Sequence, residues 1–546
     1  MSEKAEEVIK EYEHLSKDRA NIEATWLDIA QRFIPGHQQM FSSRGVIGQE
    51  GRKDMQYIHD TTPVVALGRL TSILESLLQP RNQTWHSLES SNPYLNRNHS
   101  VRMYFEEVTR ILFHHRYAAT ANFSPQNQST LKGTAAYGTG VLFTDPLQGY
   151  EAQGLRYRNI HLSEVYLAEN HQGIVDRAIR KYVLTARQAM KSWGDKLPEK
   201  IVKCAKDQPE EKFEFYHCVK KKSEYDQGKL NYEGMPYASY YVSLEGRALL
   251  DENGYNTFPY STPRYERAEL SVYGRSPAMD ALPGVKTLYE MKRTLMKQGQ
   301  KTVDPVLLAP DDGVLSGFSQ TPGAINGGAV TKDGQPLIHT LPVGNILIGK
   351  DLLDDEKNQL KDLFLLSLFQ ILLERPQATA TEVMELVKEK GLFIAPAIGG
   401  LQAEHCGATI DREIDVLSEL GLLPPMPPLL QEAQGEYQIR YNSPFSRAQR
   451  SEEMAGFLRA VEVSLNVATQ TGDPSVLDTF NWDVAIPAIA DISGVPESWK
   501  NTPEQKAALQ QQRAQQQQAQ MAIQAAPGVS ALMKSKAALN ESQPPK

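Results

Sequence analysis

Apolar residues recur at three- and four-residue steps from the start of the chain: Val8, Tyr12, Leu15, Ile22, Trp26, Ile29 and Phe33. That spacing predicts one amphipathic helix over 3–34, closed by Pro35. A polar, Gly-rich loop over 36–54 follows. Thr61-Thr62-Pro63 opens a second helix, with Val65, Leu70, Ile73, Leu74 and Leu77 apolar, that ends before Pro80. Trp85 and Leu88 form a short extended piece. Further helices are expected over 100–117, carrying Met103, Val108, Ile111 and Leu112, and from Ser124 to Tyr137. The period then falls to two residues. Strands are read at 140–144, 155–158, 165–167, 174–175, 179–183, 214–219, 238–242 and 247–250, with Thr185 capping a short helix that ends at Trp193. Residues 1–270 thus read as an α+β domain, helices first and a mostly antiparallel sheet after.

The pattern from Tyr273 to Ile394 organises the rest. Tyr273-Gly274-Arg275-Ser276-Pro277 starts a helix running to about Lys301, with Ser276 as N-cap and Pro277 in the first turn. An insert from Val303 to Ile348 is dense in turn signals, among them Pro310-Asp311-Asp312-Gly313, Asn326-Gly327-Gly328 and Lys332-Asp333-Gly334. Its short apolar pieces, 306–309 and 336–339, are too few for a core of their own, so the insert calls for neighbours. A second helix is expected from Asp354 to Glu374, with Leu360, Phe364, Leu368 and Ile371 on one face. Pro376 stops it, and Thr379 or Thr381 caps a third helix, Glu382 completing a capping box with Thr379. Gly399-Gly400 permits a break before a helix that ends at Leu420. Residues 436–441 are strand-like, 447–470 and 476–492 helical, and 507–526 an Ala/Gln helix without an apolar stripe. The last residues are expected to be disordered.

Composition narrows the reading. A chain of 546 residues accommodates roughly two to four domains. Its 58 Lys and Arg against 66 Asp and Glu leave a net charge of −8, which argues against a protein whose main task is to clamp nucleic acid through its phosphates. Cys204, Cys218 and Cys406 fit no disulfide framework and suggest a reducing compartment. The N-terminus lacks the pattern of a signal peptide. The longest apolar run, Leu363 to Leu373, is about half a membrane span.

Catalytic motifs do not survive inspection. Gly133 to Thr139 has the glycine spacing of a phosphate loop, but Thr139 stands where the lysine must be and a helix precedes it, so a helix-to-strand turn is the reading. Gly274-Arg275-Ser276 begins like a nucleophile elbow, but Ala278 replaces the closing glycine. His114-His115, His217-Cys218 and His405-Cys406 are adjacent pairs whose side chains diverge, which makes them satisfied buried groups rather than metal ligands. Asp351, Asp354, Asp355 and Glu356 lie at the expected start of a helix, where acids favour the macrodipole. No catalytic residue, cofactor or metal is assigned.

Several segments together carry a resemblance. They are Arg19 with Trp26, Ile29 and Pro35; Asp60-Thr61-Thr62 with Leu70, Leu74, Pro80 and Trp85; and Ala136 through Leu142. Tyr273 to Pro277 with Ala281-Leu282-Pro283, Arg375 through Val383, Pro444 to Ala448, Ser493 to Pro496 and the Gln-rich tail complete the set. In this order the chain resembles the portal proteins (head-to-tail connectors) of T7-like short-tailed bacteriophages. Ala378 stands where the family usually has methionine before Thr379.

The resemblance implies a predominantly helical α+β portal fold assembled as a ring of about a dozen subunits at one capsid vertex. It implies a wing (1–276 and 382–442), a stem of two helices (277–301 and 350–373), a clip (302–349), a tunnel loop (374–381) and a crown (443–546). The implied partners are double-stranded DNA passing through without sequence preference, terminase, scaffold, capsid and tail adaptor proteins, with no membrane. The implied location is the virion, after assembly in the host cytoplasm. A channel through which DNA slides offers few phosphate contacts, and the acidic balance suits that. The basic exceptions are Arg375, with Gln377 and Thr379 on the loop, and Lys292, Arg293, Lys297 and Lys301 on the first stem helix. Of these Arg293, Lys297 and Lys301 share one face. That face serves DNA backbone, solvent or ion pairs between subunits. Two other classes stand beside the portal: another structural ring such as a tail adaptor, and a capsid-associated hydrolase, which hydrolysis by the purified protein would reveal.

Overall fold

The computed structural model describes residues 3–37, 41, 58–81, 83–147, 153–226, 228–229, 231–308, 318–342, 346–366, 395–433, 435–442, 444–472, 474–492, 495, 499–501 and 505–518. They divide into two compact units, Met1–Gln83 with His114–Leu422, and Thr84–Phe113 with Leu423–Lys546.

The first unit opens with α1 (Glu3–Phe33), whose buried face holds Val8, Trp26, Ile29 and Phe33 as the spacing requires, together with Arg19. Buried arginine is costly unless every donor is used. Here the guanidinium donates to the Leu162 and Val165 carbonyls at 2.8 and 2.7 Å, pairs with Glu23 and lies 3.5 Å above the Tyr166 ring. Next come α2 (Thr62–Leu78), α3 (Phe123–Tyr137), β1 (Leu142–Pro146), β2 (Leu155–Asn159), β3 (Val165–Glu169) and β4 (Val175–Thr185). The two strands expected at 174–175 and 179–183 are one, because β4 is paired along its length with β3 or β5 (Lys212–Lys221). Thr185 caps α4 (Ala186–Trp193) in a capping box with Gln188. The short helix α5 (Glu199–Asp207) was not anticipated; it buries only Ile201 of its own length.

Strands β6 (Tyr237–Ser243) and β7 (Ala248–Tyr255) complete an antiparallel five-stranded sheet, ordered β3-β4-β5-β6-β7. Successive side chains point to opposite faces. Tyr216 and Cys218 of β5 therefore pack with Ala5, Val8 and Ile9 of α1, while Phe213 and Phe215 pack with Ala186, Ala189 and Ile201 from α4 and α5. With both faces covered, β5 is buried without interruption from Phe215 to Val219. A second sheet, β2-β1-β8, uses β8 (Tyr260–Ser261).

From there the chain enters α6 (Pro277–Val303). In the insert that follows, β9 (Leu307–Leu308) and β10 (His339–Thr340) pair antiparallel, and none of its described residues is buried. Val306, Ile325 and Val330 are more than half exposed. The returning helix α7 spans Ile346–Leu363. It begins earlier than the expected Asp354 and breaks after Leu363: Leu365 adopts a left-handed φ of 57°, and the turn lets Phe364 and Leu366 both become buried, Phe364 against Phe33. Leu366 is helical again, and the expected remainder to Glu374 lies outside the described residues. Packing of two large side chains overrides the helical pattern there. Of the expected apolar face, Leu360 and Phe364 are buried, and Leu368 and Ile371 lie outside the described residues.

Residues 395–401 are helical, so Gly399-Gly400 makes no break. The irregularity comes just after, as a π turn at Gln402–Gly407 leading into α8 (Ala408–Glu419). An extra residue per turn rotates side chains relative to a straight helix. Glu404 reaches Arg264, and His405 is buried between Ser261 and Asn127.

In the second unit, strand His86–Ser90 pairs antiparallel with Tyr437–Tyr441, setting Leu88 opposite Ile439. The helices His99–Arg116 and Pro444–Thr471 match their expected spans closely. The single helix expected over 476–492 is a 3-10 turn, Pro474–Thr479, followed by Trp482–Ile492. The break between them allows Phe480 and Trp482 both to meet Phe457. Residues 505–518 form an exposed helix, as an Ala/Gln run without a stripe should.

The helix-to-strand turn after α3 makes a test of the fold. Gly138 has φ 82°, and a Cβ there would overlap the Gly274 carbonyl. Gly138→Ala is expected to destabilise the chain by about 3 kcal/mol or more, read as a fall of several degrees in the melting temperature of the unassembled protein.

Candidate functional site

The prominent feature of the first unit is the pair α6 and α7, two antiparallel helices joined by an insert without a core. The start of α6 is fixed by its sequence. Ser276 accepts from the Met279 amide at 3.1 Å, and Pro277 follows where a missing N–H costs nothing. The Ser276 hydroxyl also donates to the Ala136 carbonyl at 2.7 Å. The Gly274 amide donates to Thr139 Oγ1 at 2.9 Å, and the Trp26 indole to the Tyr137 carbonyl at 3.1 Å. Tyr273 meets Trp26 edge-on at 5.1 Å. Three segments far apart in sequence thus share one small volume at the foot of α6. Arg264 braces the incoming strand from the side, paired with Glu404 and with Glu169 at 2.9 Å.

Within the pair, α6 and α7 approach closely where glycine allows. A Cβ on Gly349 would lie 2.6 Å from a Leu295 methyl, and one on Gly284 would lie 2.8 Å from the Glu356 carboxylate. Leu288 and Val285 of α6 and Leu353 and Leu360 of α7 are buried. Three polar links tie the pair to the body. Lys286 pairs with Asp28 at 2.6 Å, and the Tyr289 hydroxyl donates to the Arg32 carbonyl at 3.0 Å. The third link is Asp60, at the N-terminus of α2. One of its oxygens accepts from the Thr62 amide (2.8 Å) and hydroxyl (2.5 Å). The other receives Lys292 of α6 at 2.9 Å and Lys357 of α7 at 3.5 Å. Burial acts to raise the Asp60 pKa, but the Thr62 hydrogen bonds and the two lysines together outweigh it and hold the carboxyl well below the usual range.

The sequence-predicted residues separate here. Lys292 points inward and is engaged with Asp60. Arg293, Lys297 and Lys301 are exposed on the outer side of α6, Arg293 with a long ion pair to Glu290 at 3.7 Å. Arg375, Gln377 and Thr379 lie outside the described residues. The acids Asp351, Asp354, Asp355 and Glu356, expected at a helix start, sit beyond the first turn of α7, which carries no acid. The role of Asp60 was missed. Its place before Thr61-Thr62-Pro63 was visible as a helix start, but nothing local announces two lysines, the nearer of them 232 residues away.

Both ring nitrogens of His217 are within hydrogen-bond reach of hydroxyls, Tyr260 at 2.7 Å and Ser239 at 3.0 Å. Those of His405 meet Ser261 and Asn127. These are satisfied core histidines, and burial holds their pKa values down, to about 3 and about 4. Among the described residues no group of three or more His, Cys, Asp or Glu is placed to hold a metal, and no helix is long and apolar enough to cross a membrane.

Comparison with known proteins gives a consistent picture. Residues 5–499 match the family described as bacteriophage head to tail connecting protein. The chain is 26% identical over 528 residues to the portal protein of Salmonella phage epsilon15, covering 95% of this chain and 92% of that one. It is 27% identical over 525 residues to a probable portal protein of Bordetella phage BPP-1, covering 94% and 91%.

Asp60 supplies the test of the site. Asp60→Asn keeps acceptors for Thr62 but leaves two lysines facing each other without a countercharge, which is expected to cost about 1–3 kcal/mol at pH 7. The folded-state pKa is depressed, so the stabilisation is present above the unfolded value of about 4 and is lost as pH falls toward the folded one. Thermal melts of the two proteins should therefore differ most at neutral pH and converge progressively below about pH 4. A difference that does not change with pH would mean that Asp60 acts by shape alone.

Proposed function

The chain belongs to the family of bacteriophage head to tail connecting proteins, and from that membership we propose that its copies close into the portal ring at one capsid vertex, the passage by which double-stranded DNA enters and leaves the head. The observation that carries this reading is likeness along nearly the whole chain to portal proteins of two phages, rather than at one shared motif. The geometry supports it. A helix pair braced at its foot by the Gly138 turn and partway along by Asp28 and Asp60, with an insert that buries none of its described residues, is what a ring subunit needs when neighbouring copies complete the packing.

In this reading α6 and α7 are the stem and the insert between them the clip. Residues 374–381 form the tunnel loop, 1–276 with 382–442 the wing, and 443–546 the crown. The ring has about twelve copies; it sits in the virion after assembly in the host cytoplasm. Terminase, scaffold, capsid and tail adaptor proteins are its partners, and DNA slides through a channel built from a chain whose acidic balance favours few phosphate contacts.

Two experiments test this. Replacing 305–346 by a short linker should impair ring formation or terminase docking; normal rings that package DNA normally would remove the clip assignment. Arg375 stands between a predicted helix end and Pro376, and one copy per subunit at the axis would make a positive ring beside the phosphates. Arg375→Glu should leave ring yield by size exclusion intact while lowering the DNA packaged per capsid. Lost rings would place Arg375 in a structural ion pair, and unaffected packaging would remove it from the channel.

A further inference from the structure

The helix pair wears opposite charges on its two outer sides. Taking Leu288 and Leu295 as the side of α6 that faces α7, a turn of about 100° per residue puts Glu290, Arg293 and Lys297 on the opposite side, with Lys301 beside them. On α7 the facing side holds Leu353 and Leu360, and the same geometry puts Asp351, Asp355 and Asp362 opposite, flanked by Asp354. All of these charged residues are exposed. From Glu290 to Val303 the bases Lys292, Arg293, Lys297 and Lys301 face a single acid, Glu290. From Ile346 to Glu356 the acids Asp351, Asp354, Asp355 and Glu356 face a single base, Lys350.

The helix dipole does not explain the acids. Its influence fades within the first turn, and α7 starts at Ile346, so Asp351 and Asp355 lie further in. Nor are the stripes used up within the chain. Among the described residues Arg293 reaches Glu290 at 3.7 Å and Asp355 accepts from Gln359 at 3.1 Å, both at the surface, and Asp354 lies 4.0 Å from Lys357, which is nearer to Asp60 at 3.5 Å. The inward-facing lysines, by contrast, are committed to Asp60. Apolar side chains accompany the stripes: Met296 on α6 is 56% exposed, and Ile348 and Leu352 on α7 are 61% and 55% exposed. That mixture of apolar and charged side chains suits a protein surface more than a polyphosphate.

We propose that the outer side of α6 in one copy docks on the outer side of α7 in the next, Arg293, Lys297 and Lys301 against Asp351, Asp354 and Asp355. The two surfaces differ, so the contact is head-to-tail, and repetition of a head-to-tail contact closes a ring. A two-fold contact would set bases against bases, which charge repulsion disfavours. The stripe on α6 is then neutralised sideways by a neighbour, and the channel keeps its low density of phosphate contacts. This inference rests on the ring reading and names the surface that joins its copies.

The test uses charge reversal in the full chain. Arg293→Glu with Lys297→Glu makes both outer sides acidic; Asp351→Lys with Asp355→Lys makes both basic. Each variant alone should lose the ring fraction seen by size exclusion and negative-stain microscopy by about tenfold or more. Mixing the two should restore rings, since alternating copies again present opposite charges, and restoration would also establish that both variants are folded. A mixture that stays unassembled overturns the proposal. So do intact rings from the first variant with less DNA packaged, which would turn the stripe toward the channel and leave the ring reading standing. Wild-type protein that forms no ring under the same conditions would remove the ring reading itself.

Discussion

Two glycines in contact set the geometry on which the rest depends. The Gly138 carbonyl and the backbone of Gly274 approach so closely that a Cβ on Gly274 would lie 2.6 Å from that oxygen. Neither position accepts a side chain without moving a main chain, and a main chain held by hydrogen bonds on both sides cannot move far. Around this contact the Ser276 hydroxyl, the Thr139 hydroxyl and the Trp26 indole each reach a backbone group of another segment. The directions of α1, α3 and α6 are therefore decided together. A long helix amplifies any error at its foot: α6 has 27 residues, about 40 Å at 1.5 Å each, so a small tilt at Ser276 becomes a displacement of several ångströms at Val303. The proposed assembly with neighbours at the far end would require rigidity at the near one.

The charges divide along the same line. Close to the body they are buried and paired, as with Arg19 on two carbonyls and a tyrosine ring, Arg264 between two glutamates, and Arg116 against Glu413 with both side chains inaccessible. Such pairs add little net stability over apolar packing but penalise every misplacement, since a displaced partner leaves a charge stranded. They specify geometry. Farther along α6 and α7 the charges are exposed and sorted by sign, an arrangement that does little for an isolated chain and much for contact with another surface.

How much of this could be read from the sequence follows the range of the interactions. Ser276-Pro277, Thr185 with Gln188, and the apolar stripe of α1 are local codes, and the structure places a helix boundary or a buried face at each. The resemblance to phage portal proteins was legible for a related reason, since some of its motifs, Asp60-Thr61-Thr62 and Tyr273 to Pro277 among them, mark helix starts. Positions decided at long range were not legible. Leu365 turns left-handed so that Phe364 can reach Phe33, the π turn at Gln402–Gly407 exists to deliver Glu404 and His405, and Asp60 waits for lysines from two distant helices. In each case the local sequence favours a plain helix or a plain cap, and tertiary packing decides otherwise.

The misplaced start of α7 has the widest consequence. Read as beginning at Asp354, the helix makes its acids an ordinary N-terminal feature, satisfied by the dipole and of no further interest. Starting at Ile346, it leaves the same acids on an outer flank, past the reach of the dipole. Among the described residues the corresponding flank of α6 carries bases that no inward partner claims, whereas Lys292, one residue before Arg293, is turned inward to Asp60. Adjacent residues on one helix thus serve different tasks, one holding the pair to the body and one presented outward. A charge stripe on a protein of this family is readily assigned to DNA. Here the complementary stripe on α7 provides an alternative in the proposed ring, and it accounts for acids and bases together where a phosphate-facing role accounts for the bases alone.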